Sequence, residues 1–424
     1  MSQDKPSASP FNRSAQHDAK RTAILSQAAR LFNYKGSRAT TLQDIAATLG
    51  LTKTSLYYYV KTKEELIYQC YMAALQHHLR QMDVIEEQHS SALERVRAFF
   101  LSHFDNWLSA HEGRGPYIAA LLEIASLKGP HRKEVEATYI AMFKRLRQYL
   151  RDGASDGSLR ALESTSATRA ILGSVDWVFS WLHTVERDQV MATAEQAFNV
   201  LHHGLYAGAD DYQASASEPG SAPSAYVHGF DREEQNRLKQ QAFFRAGTWF
   251  FNKQGFNGTS LDEIAEHLNV SKGAFYYHIK NKEDLLYHCY RYSQDAIDRI
   301  YGEARQLPGT GLEKIAQSCR QVFRVQNSDD GPLIRYNTIT ALPMKRRKEV
   351  LERTDASSAC FGDFIREGMQ DGTVRQVAPF IAQQLISGAT NASMEIGLWR
   401  RVDDLDSAAN DYFDIFYNGL VPRA

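Results

Sequence analysis

Residues 40–66 read TTLQDIAATLGLTKTSLYYYVKTKEEL, and residues 259–285 read TSLDEIAEHLNVSKGAFYYHIKNKEDL. The two stretches align without a gap at an offset of 219 residues. Over the wider pair Phe32–Tyr71 and Phe251–Tyr290, 18 of 40 positions are identical. The shared residues are varied: Phe32/Phe251, Gly36/Gly255, Leu49/Leu268, Lys53/Lys272, Tyr57/Tyr276 and Cys70/Cys289. Such self-similarity marks an internal duplication. It continues more faintly at Gly115-Pro116 and Gly331-Pro332, and again at Asp156-Gly157 and Asp371-Gly372, where the offset has drifted to 215. Two units of about 200 residues follow, too few and too long for a solenoid.

Each quoted stretch predicts short helices broken at defined places. Ile24, Ala28, Leu31 and Phe32 recur at helical spacing, and Gly36 stands where a left-handed residue ends a helix. Thr41 with Asp44 three residues on forms an N-terminal capping pattern, and Leu42, Ile45, Ala46 and Leu49 line one face of a second helix. Gly50 breaks it, Thr52 caps a third helix, and Lys63-Glu64-Glu65 opens a fourth. Two short helices joined by a tight turn form a helix-turn-helix. That turn needs a left-handed residue, which Gly50 supplies in the first unit and Asn269 in the second.

The third helix carries three consecutive rings, Tyr57-Tyr58-Tyr59, matched by Tyr276-Tyr277-His278. At 100° per residue they point in different directions, so some face outward, and one tyrosine per repeat is expected in the core. Lysine, hydroxyls and tyrosine near a helix start suit phosphate oxygens and base edges.

Composition narrows the alternatives. The chain has 424 residues, 43% apolar and 23% charged, with a formal net charge of −1. Four cysteines cannot build a disulfide scaffold, and no CxxC or zinc-spaced cluster is present. No metal or cofactor is expected. The polar N-terminus lacks the apolar core of a secretory signal, and the longest apolar stretch, 170–182, is too short to span a bilayer and contains Asp176. A cytoplasmic protein without membrane contact is the expectation. GxGxxG, phosphate-loop, GxSxG and HExxH patterns are absent, which argues against an enzyme. The adjacent pairs His77-His78 and His202-His203 read as surface residues rather than metal ligands.

These stretches resemble the N-terminal signature of the TetR family of bacterial transcription regulators, and do so twice. The signature itself covers about a quarter of the chain. The resemblance implies an all-α fold of two tandem units, each with a helix-turn-helix domain and a helical ligand-binding and dimerisation domain. The expected divisions are a disordered arm over 1–18, helix-turn-helix domains over 19–68 and 230–287, helical domains over 69–208 and 288–424, and a flexible Ser/Ala/Pro/Gly-rich linker over 209–229. Such a linker spans roughly 25 Å. Residue by residue, the resemblance implies DNA contacts at Thr40, Thr41, Lys53, Thr54, Ser55, Tyr57, Tyr58, Tyr59 and Lys63. In the second unit the matching residues are Thr259, Ser260, Lys272, Gly273, Tyr276, Tyr277, His278 and Lys282. The implied partner is a double-stranded DNA operator, with repression as the family default.

Family members pair as dimers, and a duplicated chain can supply both motifs itself. A four-helix bundle of 165–183 and 193–207 with 378–398 and 406–421 is the expected seam. Ile171, Leu172, Val175, Val178, Trp181 and Leu182 would face Phe380, Ile381, Leu385, Ile386, Met394 and Ile396. A homodimer with four motifs is the other arrangement. The resemblance also implies a small-molecule effector that shifts the motif spacing. An apolar or aromatic effector would suit walls of Trp107, Tyr117, Phe143 and Trp177 in the first unit, or Phe323, Tyr336, Phe364 and Trp399 in the second, although such rings equally suit plain core. Charge separates the repeats. Over 11–70 nine basic residues face four acidic ones; over 230–290 the numbers are eight and eight. Unequal repeats predict an imperfect palindrome as operator. The rival reading is a scaffold whose motifs no longer bind DNA.

Overall fold

Apolar residues at three- and four-residue spacing dictate helices. In the computed structural model, which describes residues 10–121, 124, 127–214, 232–328 and 331–423, every regular element is helical. Unit 1 runs α1 (Pro10–Lys35), α2 (Leu42–Thr48), α3 (Lys53–Tyr57), α4 (Lys63–Gln88), α5 (Ala92–His111), α6 (Gly129–Asp156), α7 (Ser164–Asp176), α8 (Val178–Trp181) and α9 (Val190–His203). Unit 2 repeats the order with α10 (Arg232–Gly258), α11 (Leu261–His267), α12 (Lys272–His278), α13 (Lys282–Gln306), α14 (Gly311–Asn327), α15 (Met344–Asp371), α16 (Pro379–Ala392) and α17 (Leu405–Asn418). Gly36 turns left-handed after α1 (φ 81°), and Gly255 breaks α10 at the matching place (φ 69°).

The ends of this framework differ from expectation. The expected arm over 1–18 is helical from Pro10 onward. Proline suits a first helical turn, whose N–H has no partner in the helix. Residues 1–9 lie outside the described residues. The expected linker starts late, because residues 209–214 pack against unit 2. The Tyr212 N–H donates to Asn418 Oδ1 at 2.7 Å, and Asn418 Nδ2 donates back to the Tyr212 carbonyl at 3.1 Å. Positions 215–229 lie outside the described residues.

The two units meet through α7 and α9 of one and α16 and α17 of the other. The contacts obey a pseudo-twofold axis. Gly173 and Gly388 lie where α7 crosses α16; a Cβ on Gly388 would stand 2.5 Å from Trp177 Cβ, and one on Gly173 the same distance from Ala392 Cβ. Only glycine lets the backbones approach this closely. Gly204 and Gly419 form a second matched pair, with the Leu205 N–H donating to the Phe416 carbonyl (2.8 Å) and the Leu420 N–H to the Leu201 carbonyl (2.9 Å). Arg160 and Arg375 also match: Arg160 Nε donates to the Gly419 carbonyl at 3.1 Å, and Arg375 Nε to the Gly204 carbonyl.

Around these polar anchors Ile171, Leu172, Val175, Val178, Trp181, Leu182, Ile381, Leu385, Ile386, Met394 and Ile396 are all buried. Full burial of each such side chain contributes roughly 1.5–3 kcal/mol. Phe380 departs from the expected seam. At the start of α16, at the rim of the bundle, it stays 43% exposed and touches Trp181 edge-on at 5.7 Å.

The interiors of the two units are organised differently. In unit 1 one continuous apolar cluster runs from Ile24, Ile45 and Leu56 in the helix-turn-helix to Leu172 and Val175 at the seam. In unit 2 the helix-turn-helix core (Phe243, Ile264, Phe275, Tyr290) is separate from the seam core (Cys319, Phe361, Ile386).

Candidate nucleic-acid interface and interior cavity

Each motif is built around a turn that fixes two helices. In unit 1 Gly50 adopts φ 64° and the Leu51 N–H returns to the Ala46 carbonyl at 2.9 Å. In unit 2 Asn269 adopts φ 53° and the Val270 N–H returns to the Ala265 carbonyl at 3.0 Å. Thr41 and Asp44 close the capping box on α2, and Thr52 caps α3 through the Ser55 N–H at 3.1 Å. Ser271 caps α12 likewise through the Ala274 N–H, whereas Ser260 makes no side-chain cap to α11.

Buried Leu56 and Val60 pin α3 from below, so its opposite face turns outward. Lys53, Thr54, Ser55, Tyr57 and Tyr58 are exposed, Tyr58 at 74%. Lys272, Gly273, Tyr276 and Tyr277 are their exposed counterparts on α12, Tyr277 at 84%. No tyrosine of either triplet is core, contrary to the expectation of one per repeat, because Leu56 and Phe275 already fill that place. Tyr59 is half-buried and stacks on His17 of α1 at 4.9 Å; His278 leans on Phe243 at 5.7 Å.

Two expected phosphate contacts are corrected. Thr40 and Thr259 are buried, and their hydroxyls donate back to the carbonyls of Gly36 (3.0 Å) and Gly255 (2.8 Å). Each sits one residue before the cap, where its side chain closes the left-handed turn. Thr41 and Ser260 are the accessible members of those pairs. Lys63 is half-buried at the start of α4. Lys282 is drawn inward, its Nζ donating to the Thr259 carbonyl at 2.9 Å and lying over the Phe256 ring. Burial, with Arg38 nearby, lowers its pKa.

Electrostatics distinguish the motifs further. Lys272 Nζ is held by Asp262 at 2.6 Å, and the Tyr276 hydroxyl donates to the same carboxylate at 3.2 Å. The hydrogen bond from Lys272 holds Asp262 below the usual carboxylate range. The repeat alignment puts Gln43 at this position in unit 1. Lys53 has no carboxylate partner among the described residues; its ammonium lies 5.6 Å from the Tyr57 ring centre. The Gln43/Asp262 difference is visible in the aligned sequences and is one that motif matching overlooks. Arg38, also outside the motif, joins the two motif regions: it pairs with Glu283 at 2.7 Å and lies 4.2 Å over Phe256.

Inside unit 2 a cavity of about 120 Å³ lies between α13, α14, α15 and α16. It separates the two apolar cores, with Tyr290 on one side and Cys319, Phe361 and Ile386 on the other. Trp177 of unit 1 closes it across the seam, 5.6 Å from Tyr336. Of the eight expected pocket rings, Trp177 and Tyr336 line this cavity. Trp177 thus serves the opposite unit from the one expected, since the α7–α8 junction crosses the seam. Trp107 and Tyr117 line an open cleft of about 760 Å³ in unit 1. Phe143, Phe323, Phe364 and Trp399 are packing residues: Phe143 meets Trp399 at 4.6 Å and Phe323 meets Tyr412 at 5.5 Å. His78 is likewise interior and not surface, stacking on buried His103 at 4.6 Å on the inner face of α4.

The family model described as "Bacterial regulatory proteins, tetR family" matches residues 24–70 and again 245–289. A second, "Tetracyclin repressor-like, C-terminal domain", matches 89–205 and 303–395. The chain belongs to the TetR family. It is a tandem TetR-family, DNA-binding transcription regulator. The transposon Tn10 TetC protein of Escherichia coli is 36% identical over 67 residues, 16% of this chain and 34% of that protein. The chain thus spans about a third of that relative's length. The HTH-type transcriptional repressor KstR2 of Mycolicibacterium smegmatis is 26% identical over 164 residues, 39% of this chain and 79% of the repressor. Among solved structures, AibR in complex with isovaleryl coenzyme A and operator DNA is similar at 25% identity and a TM-score of 0.36, covering 41% of this chain and 94% of that one. Among the described residues, no helix of this TetR-family chain is long and apolar enough to cross a membrane.

Proposed function

We propose that this chain represses transcription by reading one operator in cis through two unequal helix-turn-helix motifs, and that a small molecule in the unit 2 cavity releases it. The observation that carries this reading is the pseudo-twofold seam, where Gly173/Gly388, Gly204/Gly419 and Arg160/Arg375 reproduce within one chain the contacts of a symmetric pair. A C2 dimer face already satisfied internally leaves no need for a second chain. Exposed Lys53, Tyr57 and Tyr58 on α3, and Tyr276 and Tyr277 on α12, are the proposed base and phosphate contacts. Thr41, Thr54, Ser55, Ser260 and Gly273 complete the accessible set, with Lys63 at its edge. Repression follows the relatives named as repressors.

Release follows from the placement of α13. Its inner face carries Tyr290 and Gln294 into the cavity wall, and its first residues, Lys282 and Glu283, belong to the motif. Lys282 and Gln294 are twelve helical steps apart, about 18 Å of rigid rod. An occupant that shifts α13 therefore moves the second motif relative to the first. Because a two-motif reader requires fixed half-site spacing, roughly 34–36 Å on DNA, a small displacement lowers affinity.

Unbiased selection of genomic DNA by the full chain, followed by footprinting at about 0.15 M salt, tests the reading. One protected site with two unequal half-sites is expected. Strictly symmetric half-sites, or nonspecific binding alone, would contradict it. Tyr58→Ala should abolish protection while the helical content is retained, which separates a regulator from a scaffold.

A further inference from the structure

The family reading supplies a ligand cavity per unit. The two interiors of this chain do not support that symmetry. The repeat alignment pairs five residues of the unit 2 cavity wall with apolar unit 1 residues. Ser318 answers Phe99, Cys319 answers Phe100, Ser357 answers Met142, Ser358 answers Phe143, and Gln294 answers Leu75. All five unit 1 residues are buried in one continuous core, with Phe99 against His103 at 4.8 Å and Phe100 against Phe198 at 5.8 Å. At four of the five positions the unit 1 residue is the larger, and it is core where the unit 2 residue lines a cavity.

The chemistry of the remaining cavity defines its occupant. No lining side chain is an acid, a base or a histidine. An ionised ligand would lose its hydration there without a counter-charge. The volume of about 120 Å³ compares with the roughly 150 Å³ apolar cavity that takes one benzene ring. Tyr290, Tyr301, Tyr336 and Phe361 offer aromatic walls. Two side-chain atoms of lining residues that are shielded from solvent have no hydrogen-bond partner. Gln294 is nearly fully buried, and its Nε2 donates to the Val350 carbonyl (2.8 Å) and to Thr354 Oγ1 (3.0 Å). The Val350 carbonyl can only accept, so the amide orientation is fixed and Oε1 of this cavity-lining residue is left as a buried acceptor without a hydrogen-bond partner. Ser318 Oγ is fully buried and equally unpaired. A buried acceptor of this kind is satisfied by a ligand that brings a donor.

We propose that the chain takes a single effector per molecule, in unit 2 alone, and that this effector is a small neutral aromatic carrying a hydroxyl or N–H donor, of the phenol class. The hydroxyl donates to Gln294 Oε1 and accepts from Ser318 Oγ, and the ring packs among the tyrosines and against Trp177. The proposal rests on the ligand-release reading above and assigns its site, stoichiometry and ligand chemistry.

Calorimetric titration of the full chain with phenol, benzene and benzoate tests it. The expected result is one phenol per chain, benzene at least tenfold weaker, and no heat from benzoate. Gln294→Leu, which installs the unit 1 residue, should bring phenol down to the level of benzene. Ser318→Phe should abolish binding of both. Two phenols per chain, benzoate binding as tightly as phenol, or Gln294→Leu leaving phenol affinity unchanged would each overturn the proposal. No phenol binding by a chain that still protects its operator would overturn it and leave the regulator standing. Loss of operator binding by the unliganded wild-type chain would instead overturn the function on which it rests.

Discussion

At one position in the two recognition motifs stand Gln43 and Asp262; at one position in the two interiors stand Phe99 and Ser318. The first pair leaves Lys53 without a carboxylate among the described residues and ties Lys272 to one at 2.6 Å. The second pair closes the middle of unit 1 with a ring and leaves unit 2 with a cavity. The substitutions run in opposite senses. Unit 1 has the more basic DNA face and a core continuous from motif to seam. Unit 2 has the neutralised face and an interrupted core. In the proposed reading unit 1 is the anchor and unit 2 the part that a ligand moves. A homodimer encodes both halves in one sequence and cannot separate these properties, whereas a duplicated chain can.

This division of labour can be broken experimentally, starting with the interior. Phe99→Ser, which gives unit 1 the residue of unit 2, should cost about 3–5 kcal/mol in urea unfolding, as for other large-to-small changes at fully buried rings. A cost below about 1 kcal/mol would mean that Phe99 does not fill the interior of unit 1. The histidine pair gives a second test. Burial pushes His103 from its ordinary 6.5 down to about 4, and His78 is also pushed well below that value, chiefly by burial. A base with a depressed folded pKa contributes stability that is present above the unfolded value and lost as pH falls. Unit 1 should therefore lose stability between pH 6.5 and about 4, by roughly 3 kcal/mol from His103. His103→Val, the unit 2 residue at that site, should flatten the profile; an unchanged slope would remove the histidine from the account.

The DNA faces give smaller effects. Lys53→Ala should weaken operator binding about tenfold and reduce the salt slope by about 1, while Lys272→Ala should change affinity less than about threefold. Equal losses, measured by fluorescence anisotropy across a salt series, would erase the electrostatic difference between the motifs. Asp262→Gln should tighten binding by about twofold to fivefold and steepen the salt slope, since it frees Lys272 to neutralise a phosphate.

Much of this was legible before any coordinates. Gly50 and Asn269 mark turns because few residues tolerate a left-handed backbone, and Thr41 and Thr52 mark helix starts because their hydroxyls accept from backbone N–H groups. The apolar run around Ile171 and Val175 marked the seam. Features that depend on how helices cross were not legible. Trp177 reaches the opposite unit only because α7 and α16 touch at Gly173 and Gly388. Thr40 and Thr259 look like surface hydroxyls in a polar stretch, yet the turn at Gly36 and Gly255 brings a carbonyl within reach of each. Phe380 has the pattern of a seam residue but sits at the rim of the bundle, where it touches Trp181 and stays largely exposed.

The central claim is that one chain constitutes one complete operator reader. The most direct test is sedimentation equilibrium of the full chain with a duplex carrying its selected site, at low micromolar concentration. The account predicts a complex of one 48.0 kDa chain per duplex, with both half-sites protected. Two chains per duplex, each protecting one half-site, would contradict it.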